Sequence, residues 1–232
     1  TALAYIHHGK DQMPDGWHTL MALSKMKYSE ERLDYVVSNK ALADTYARSD
    51  ARDKAPKRYP IYDDQEITPE SRVEFVKADD ATALYYRDLF VHRLGSTKAE
   101  RYCLMLIDGR VVTAVGLFTS DLYRRTTEYL YETFGISRTS QRYARLGKLF
   151  MLCLTSGEFK RFYVTQVAPF TSVFHEPKGI QTTSITQHEE GKTDRSVMKV
   201  TAREPLKEGG FRLVYRADFR DDTWADCVAM WL

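Results

Sequence analysis

The chain has 232 residues, of which 43% are hydrophobic and 28% are charged, and its formal net charge is +2. This composition is typical of a folded domain and excludes a disordered or collagen-like chain. The near balance of charge gives no general attraction to nucleic acid, so a nucleic-acid function must depend on local clusters of cations.

The N-terminal quarter of the chain is predicted to be helical. Residues 30–48 place apolar side chains at roughly helical spacing, and Ser29 before them is a suitable N-cap. Residues 48–58 are charged, contain Pro56 and hold almost no apolar side chain, which is typical of a linker or an exposed loop. We therefore divide the chain into a helical extension with its linker, residues 1–60, and one domain, residues 61–232.

The first half of this domain is predicted to combine strands and helices. Residues 72–76 form a first strand, and a helix capped by Asp79 or Asp80 follows and ends before Gly95. Residues 101–107 and 111–119 form a strand pair around the turn at residues 108–110. Residues 120–141 form a second helical segment, whose aromatic side chains either pack in the core or, with the arginines nearby, stack on unpaired bases.

The second half is predicted to hold two neighbouring parallel strands. An apolar strand at residues 146–154 leads through an amphipathic segment at residues 158–166 to a strand at residues 179–186. Because a helical crossover joins the two strands, we expect them to be parallel and to diverge at their C-terminal ends. A basic helical stretch at residues 192–204 and a last strand at residues 210–219 complete the domain. The predicted fold class is α+β, with a central mixed sheet whose splayed parallel strands are flanked by helices.

Two groups of cations flank the predicted splayed strands, one in residues 141–163 and one in residues 192–203. Clustered cations beside a cleft attract the phosphates of a nucleotide-type cofactor or of a nucleic-acid backbone. A solvated helix face is the alternative for the second group. We assign to nucleic-acid binding the residues Arg142, Arg145, Lys148, Lys192, Arg195 and Lys199.

The turn formed by Thr155, Ser156 and Gly157 has two interpretations. Backbone N–H groups at a helix start bind phosphate, so these residues are candidates for cofactor binding. Ser156 is equally suited to be an ordinary N-cap.

Polar residues later in the chain are candidates for chemistry. Strand alternation puts Ser184 and Thr182 on one face, although hydroxyl residues also occur in strands for propensity alone. His188 and Asp194 are a candidate base with an orienting carboxylate. No metal site is predicted, because His7 and His8 lack acidic or cysteine partners at ligand spacing.

The order of elements from about residue 72 to the C-terminus resembles the GNAT superfamily of N-acetyltransferases. The superfamily's pyrophosphate signature, [QR]-x-x-G-x-[GA], is absent after residues 146–154, the predicted fourth strand. The phage Mom-like family, which modifies adenine bases in DNA to evade restriction, also lacks it, and the chain resembles that family. An arginine, a serine, an aspartate and a tyrosine are associated with activity there, and the matching residues in order are Arg145, Ser184, Asp194 and Tyr215.

The resemblance implies a phage-encoded transferase that modifies a base of DNA, with Ser184, Asp194, His188 and Tyr215 as catalytic residues. Its cofactor is unknown, and an acyl-CoA or related acyl donor is one alternative. The other hypotheses are an acyl-CoA-dependent N-acyltransferase acting on a small amine or a protein, and a nucleic-acid-binding module without activity. Salt-sensitive retention of duplex DNA favours the first, thermal protection by acetyl-CoA favours the second, and the absence of both favours the third.

The remaining features bear on location and partners. Cys103, Cys153 and Cys227 lie in apolar stretches without CxxC spacing, which favours buried, reduced thiols and a cytoplasmic protein. No apolar run approaches the roughly 18 residues of a membrane helix, so no membrane partner is expected. DNA is the expected partner, and a homodimer is left open.

Overall fold

The computed structural model describes residues 56–90, 99–118, 128–169, 176–186, 197–207 and 209–232. In chain order the elements are β1 (Val73–Ala78), α1 (Asp80–Leu89), β2 (Arg101–Ile107), β3 (Arg110–Phe118), β4 (Tyr129–Ser137), α2 (Leu146–Leu154), α3 (Gly157–Phe162), β5 (Gly179–Thr186), β6 (Lys199–Pro205), β7 (Phe211–Asp218) and α4 (Trp224–Trp231). A π-helical turn, Tyr163–Val167, continues α3. The predicted helical extension lies outside the described residues, apart from residues 56–60.

The described strands form one seven-stranded sheet in the order β1-β2-β3-β4-β5-β7-β6. Its neighbouring strands are antiparallel except for β4 and β5, which are parallel. Helices flank this mixed sheet, so the predicted α+β fold with a splayed parallel pair is confirmed. No helix in the described part of the chain has both the length and the hydropathy to cross a bilayer.

The two faces of the sheet pack against different helices. On one face, here called the α2 face, residues from α2, α3 and α4 share a core with Phe75, Leu130, Ile180 and Leu213. On the other face, here called the α1 face, α1 packs against β2 and β3, and this second core includes Phe134. Since both of their faces are covered, β2 and β3 are buried along almost their whole length.

Several predicted elements are confirmed close to their predicted bounds. The strand pair at residues 101–107 and 111–119 corresponds to β2 and β3, and its turn has positive φ at Asp108 and Gly109. The first strand, the strand at residues 179–186 and the last strand correspond to β1, β5 and β7. Asp79 caps α1, because its Oδ1 accepts a hydrogen bond of 2.7 Å from the backbone N–H of Thr82. The predicted end of α1 near Gly95 lies outside the described residues. All three cysteines are buried and free.

Residues 146–154 were predicted as a strand, and this prediction is wrong because they form α2. A short apolar run suits a buried helix as well as a buried strand. Six of the nine residues in α2 are buried: Leu146, Leu149, Phe150, Leu152, Cys153 and Leu154. The expected parallel pairing of residues 146–154 with β5 is therefore also wrong.

The parallel neighbour of β5 is β4, which lies inside the predicted helical segment at residues 120–141. Leu130 and Phe134 have helical spacing in the sequence, but they belong to the cores on opposite faces of the sheet. The predicted basic helix at residues 192–204 is also wrong where it is described, because residues 199–205 form β6. This edge strand alternates exposed and half-buried side chains.

Candidate functional site

The parallel strands β4 and β5 are paired over three rungs and then separate. The paired residues are Tyr129 with Gly179, Leu130 with Ile180, and Tyr131 with Gln181. Beyond these rungs, residues 132–137 and 182–186 have no ladder pairing with each other, and the opening between them is here called the gap. At its closed end the Tyr131 and Thr183 hydroxyls share a hydrogen bond of 2.9 Å on the α1 face. Thr182 Oγ1 donates to the carbonyl oxygen of Glu132 at 3.5 Å.

A bulge in β4 lies where the gap begins. On β3, Gly116 is opposite Phe134 and Leu117 is opposite Glu132, so Thr133 has no partner residue in the β3–β4 register. Its Oγ1 donates to the carbonyl oxygen of Gly116 at 3.2 Å. A bulge removes a backbone unit from the ladder and redirects the neighbouring side chains, and bulges are frequent beside active sites.

Glu132 places a buried carboxylate next to the gap. Its side chain is on the α2 face, only 7% of the residue is exposed, and it leans over Gly135. A Cβ at Gly135 would collide with Glu132 Oε1 and lie 2.6 Å from Phe150 Cε1, so a larger residue there would have to displace these two buried side chains. Glu132 was missed as a site residue because its segment was predicted to be helical. The sequence signal that could have identified it is its position where the alternation of apolar and polar residues along β4 is broken.

The N-terminus of α2 follows β4 after a short loop and carries cations. Arg145 is the N-cap residue, makes no side-chain capping hydrogen bond, and no acidic residue occurs in the first turn. Arg142, Arg145 and Lys148, here called the α2 cluster, are exposed. Gly147 between them faces open space. Cations at a helix N-terminus oppose the helix dipole, and the usual capping residues are absent, so both features lower the stability of α2. The same features make this end of the helix a favourable site for an anion.

Aromatic residues hold the start of α2 in place. The Tyr143 hydroxyl accepts a hydrogen bond of 2.9 Å from the backbone N–H of Ile67, and Trp231 Nε1 donates to the carbonyl oxygen of Arg145 at 3.0 Å. Arg142 forms an ion pair of 3.1 Å with Glu66, and both side chains are largely exposed. Arg145 and Lys148 have no ion pair among the described residues, which leaves their charges available.

The loop into α2 occupies the place of the superfamily's pyrophosphate signature, since β4 is the fourth strand. Residues 142–147 run Arg-Tyr-Ala-Arg-Leu-Gly. They agree with [QR]-x-x-G-x-[GA] at its first and last defined positions and carry Arg145 in place of the middle glycine. The partial match was missed because the fourth strand was predicted at residues 146–154.

Two of the predicted catalytic residues lie on the α2 face near the gap. Ser184 is opposite Leu213 in the β5–β7 register, and Thr182 is opposite Tyr215, which is fully buried. Ser184 Oγ is buried and has no hydrogen-bond partner among the described residues. The predicted alternation is confirmed, because Ile185, on the α1 face, is 60% exposed. A buried hydroxyl without a partner is a candidate for binding a ligand.

The turn at residues 155–157 lies at the opposite end of α2, about 13 Å from the α2 cluster. Ser156 Oγ accepts a hydrogen bond of 3.1 Å from the Phe159 backbone N–H and so caps α3. Thr155 and Ser156 are fully buried, and a Cβ at Gly157 would lie 2.6 Å from the carbonyl oxygen of Arg220. These contacts match the capping interpretation of the turn rather than the cofactor-binding one.

The other predicted residues are separated from the gap or lie outside the described residues. Lys199 begins β6 and is exposed, with β7 between it and β5, so it lies roughly 10 Å from β5. His188, Lys192, Asp194 and Arg195 fall outside the described residues, and their assigned roles stay predictions.

The family model of a phage GNAT-like domain matches residues 70–232, a range that includes all the strands and helices described above. Comparison with curated proteins and with solved structures gave no match. A match of this extent indicates an acetyltransferase-type function in a phage-like protein. We conclude that the chain belongs to the phage GNAT-like domain family.

Proposed function

We propose that this domain transfers an acyl group to an amine from a thioester donor of the coenzyme A type. The observation that carries the proposal is the junction of β4 with α2. A parallel pair opens beside a bulge, and the strand at the opening leads through the loop at residues 138–145 into a cationic, uncapped helix N-terminus. The opening suits a narrow, extended ligand, and the helix start suits a phosphate at one end of that ligand.

The electrostatics of α2 support a phosphate-bearing donor. A charge in the first turn of a helix changes stability by about 0.3–1 kcal/mol, and a cation has the unfavourable sign there. Arg145 and Lys148 both stand at this end, and no acidic residue offsets them. A bound pyrophosphate would reverse the sign of both contributions, because the backbone N–H groups and the two side chains would then bind one anion. Arg145 in place of the signature's glycine adds a side-chain donor to the backbone donors.

The residues around the gap fit the chemistry of acyl transfer. A coenzyme A thioester supplies the activated acyl group when it is bound. The backbone N–H of the bulged Thr133 lies outside the β3–β4 ladder and suits hydrogen bonding to an acyl carbonyl oxygen. The carboxylate of Glu132 and the hydroxyl of Ser184 both lie on the α2 face beside the gap, where they suit positioning the donor from the two facing strands.

Binding of acetyl-CoA to the purified protein tests the proposal. We expect acetyl-CoA to raise Tm and to bind with an affinity that falls as salt rises. The double variant Arg145→Ala and Lys148→Ala should weaken binding at least tenfold, since each contact to a charged group contributes about 1.5–3 kcal/mol. Lys207→Ala, which removes an exposed cation in the turn before β7, serves as the control and should bind as the wild type does. No binding by the wild type, or equal binding by the double variant, would reject the proposal.

A second proposal concerns the acceptor, which we take to be an exocyclic amine of a nucleic-acid base. It is supported by the resemblance to the Mom-like family and by the exposed cations Arg145, Lys148 and Lys199. Mass spectrometry of nucleosides from DNA of cells that express the chain should show an acyl-type mass increase on one base. Ser184→Ala, and Asp194→Ala if its predicted role is correct, should abolish this product while Tm stays within a few degrees. Unmodified DNA together with acetylation of small amines or proteins would reject this acceptor and leave the transferase proposal intact.

A further inference from the structure

A row of four residues crosses the α1 face of the sheet at the last rung before the gap. Tyr131 is paired with Gln181, Gln181 is opposite Arg216 on β7, and Arg216 is opposite Lys199 on β6. Residues paired across neighbouring strands point to the same face. The set Tyr131, Gln181, Arg216 and Lys199, here called the Arg216 row, therefore lies where the paired part of β4 and β5 ends.

Arg216 is held in one orientation by its neighbours. Its Nε donates to Gln181 Oε1 at 2.7 Å, and its Cζ lies 5.0 Å from the centre of the Tyr129 ring. Tyr129 is fixed in turn, since its hydroxyl donates to Asp218 Oδ1 at 2.6 Å. These contacts use Nε and one face of the guanidinium. The two Nη groups have no hydrogen-bond partner among the described residues, so a pre-oriented pair of donors remains.

The surroundings of the row are positive within the described residues, and the row is open to solvent at its Lys199 end. Lys199 is exposed beside the half-buried Arg216, Gln181 is 1% exposed, and Ile185 on the same face is 60% exposed. α1 covers β2 and β3 on this face, away from β7 and β6. The nearest carboxylate on the row's own strand, Asp218, is hydrogen-bonded to Tyr129. The net charge of Arg216, Lys199 and Asp218 together is therefore +1.

We infer that the acceptor is an amine that also carries an anionic group, and that the Nη groups of Arg216 bind this group with help from Lys199. The inference rests on the proposed function. A donor with its phosphates at α2 has its acyl end at the closed end of the gap, and the α2 face there is filled by core side chains. The acceptor must then approach from the α1 face, where the Arg216 row lies. An oriented guanidinium binds carboxylate or phosphate through two parallel hydrogen bonds.

The transfer step balances with the groups named. The amine nitrogen forms a bond to the acyl carbon, and the carbon–sulfur bond of the thioester breaks. The sulfur leaves as a thiolate, and the amine loses one proton to solvent on the α1 face. Arg216 takes no part in these bonds, so it is a residue for binding and positioning the acceptor.

Two matched pairs of probes test the inference: dAMP against deoxyadenosine, and L-lysine against 1,5-diaminopentane. Each pair holds an amine with and without an anionic group. Calorimetric titration into protein saturated with coenzyme A should show at least tenfold tighter binding of the anionic member of one pair. Preference for dAMP identifies a nucleotide phosphate, whereas preference for lysine identifies an amino-acid carboxylate. The preference should fall below threefold in Arg216→Gln.

Arg212→Gln is the matched control, because Arg212 is exposed on the same strand and face and its ion pair with Glu204 is long, at 4.0 Å. It should retain the preference. Arg216→Lys keeps the charge but loses the Nε contact and the paired donors, so it should give an intermediate value, and it replaces Arg216→Gln if that variant fails to fold. Equal binding within both pairs, or an unchanged preference in the Arg216 variants, would overturn the inference. Titration of acetyl-CoA into the ligand-free wild-type protein separates the two failures. Absent donor binding refutes the proposed function, whereas intact donor binding without anion preference refutes only this inference.

Discussion

Replacement of Lys148 by glutamate should make the protein more stable and the donor bind more weakly. Lys148 is the third residue of α2, where the helix dipole disfavours a cation and favours a carboxylate. The same residue belongs to the α2 cluster that we assign to phosphate binding. If Lys148 served protein stability, its replacement by glutamate would destabilise the protein. If Lys148 serves the ligand, the same replacement stabilises the protein and weakens donor binding.

The magnitudes follow from the position of Lys148 in the helix. Removing an unfavourable cation and adding a favourable anion each contribute about 0.3–1 kcal/mol, so the gain in stability is about 1 kcal/mol for this exposed site. In a protein of this size that gain raises Tm by about 2–4 °C. The loss of one contact to a charged group costs about 1.5–3 kcal/mol, which weakens acetyl-CoA binding by at least tenfold.

Thermal unfolding without ligand and titration with acetyl-CoA measure the two effects separately. Arg161→Glu makes the same change of charge at an exposed position of α3, inside the helix that the π-helical turn continues, where no donor site is proposed. It should leave the affinity for acetyl-CoA unchanged and should lack the gain in Tm that a helix N-terminus gives. If Lys148→Glu destabilises the protein, or stabilises it without weakening the donor, then the assignment of phosphate binding to this helix end is refuted.

Three further predictions concern packing, capping and thiol chemistry. Gly135→Ala should lower stability by about 1–3 kcal/mol and reduce transfer activity, because the added Cβ meets Glu132 Oε1; denaturant titration and an acetylation assay measure both. Thr223→Ala should lower Tm by about 2–4 °C through loss of the capping box. Hydrogen bonds from the backbone N–H and, second, from the hydroxyl of Thr223 hold the pKa of Asp226 below its usual 3.8, and the stability that this shift contributes is lost on acidification. Alanine keeps the backbone donor and removes only the hydroxyl, so Tm should fall somewhat less steeply below pH 3.8 in the variant than in the wild type. Burial raises the pKa of the Cys103 thiol to about 12, so at pH 8 this thiol should react with a disulfide reagent only after unfolding.

The sheet could be predicted best where local chemistry and burial agree. The turn at Asp108 and Gly109 requires positive φ at both residues, and the flanking strands are short apolar runs, so the sequence alone fixes this hairpin. The strand at residues 179–186 was found because its hydroxyl and β-branched residues favour a strand, and no glycine or proline interrupts it after Gly179.

β4 could not be predicted in the same way because its alternation is broken. Leu130 lies on the α2 face and Phe134 on the α1 face, yet they are four residues apart in the sequence. In a regular strand such residues would share a face, and in a helix they would lie one turn apart. The extra residue at Thr133 shifts the alternation of all later residues in β4 by one position. The apolar residues of β4 therefore do not follow the period of two that identifies a strand. The bulge that disguised β4 is also the feature that marks the gap.

The α2 cluster was identified correctly as unusual although its secondary structure was predicted incorrectly. In a buried strand, Arg145 and Lys148 would interrupt an apolar run, and at the start of α2 they oppose the helix dipole. Neither position suits a cation for stability, so Arg145 and Lys148 are candidates for binding a ligand whichever element holds them. The turn at residues 155–157 lacks this property, because a helix start explains Ser156 completely. Residues that would lower stability in either a strand or a helix are therefore the better guide to the functional site of this domain.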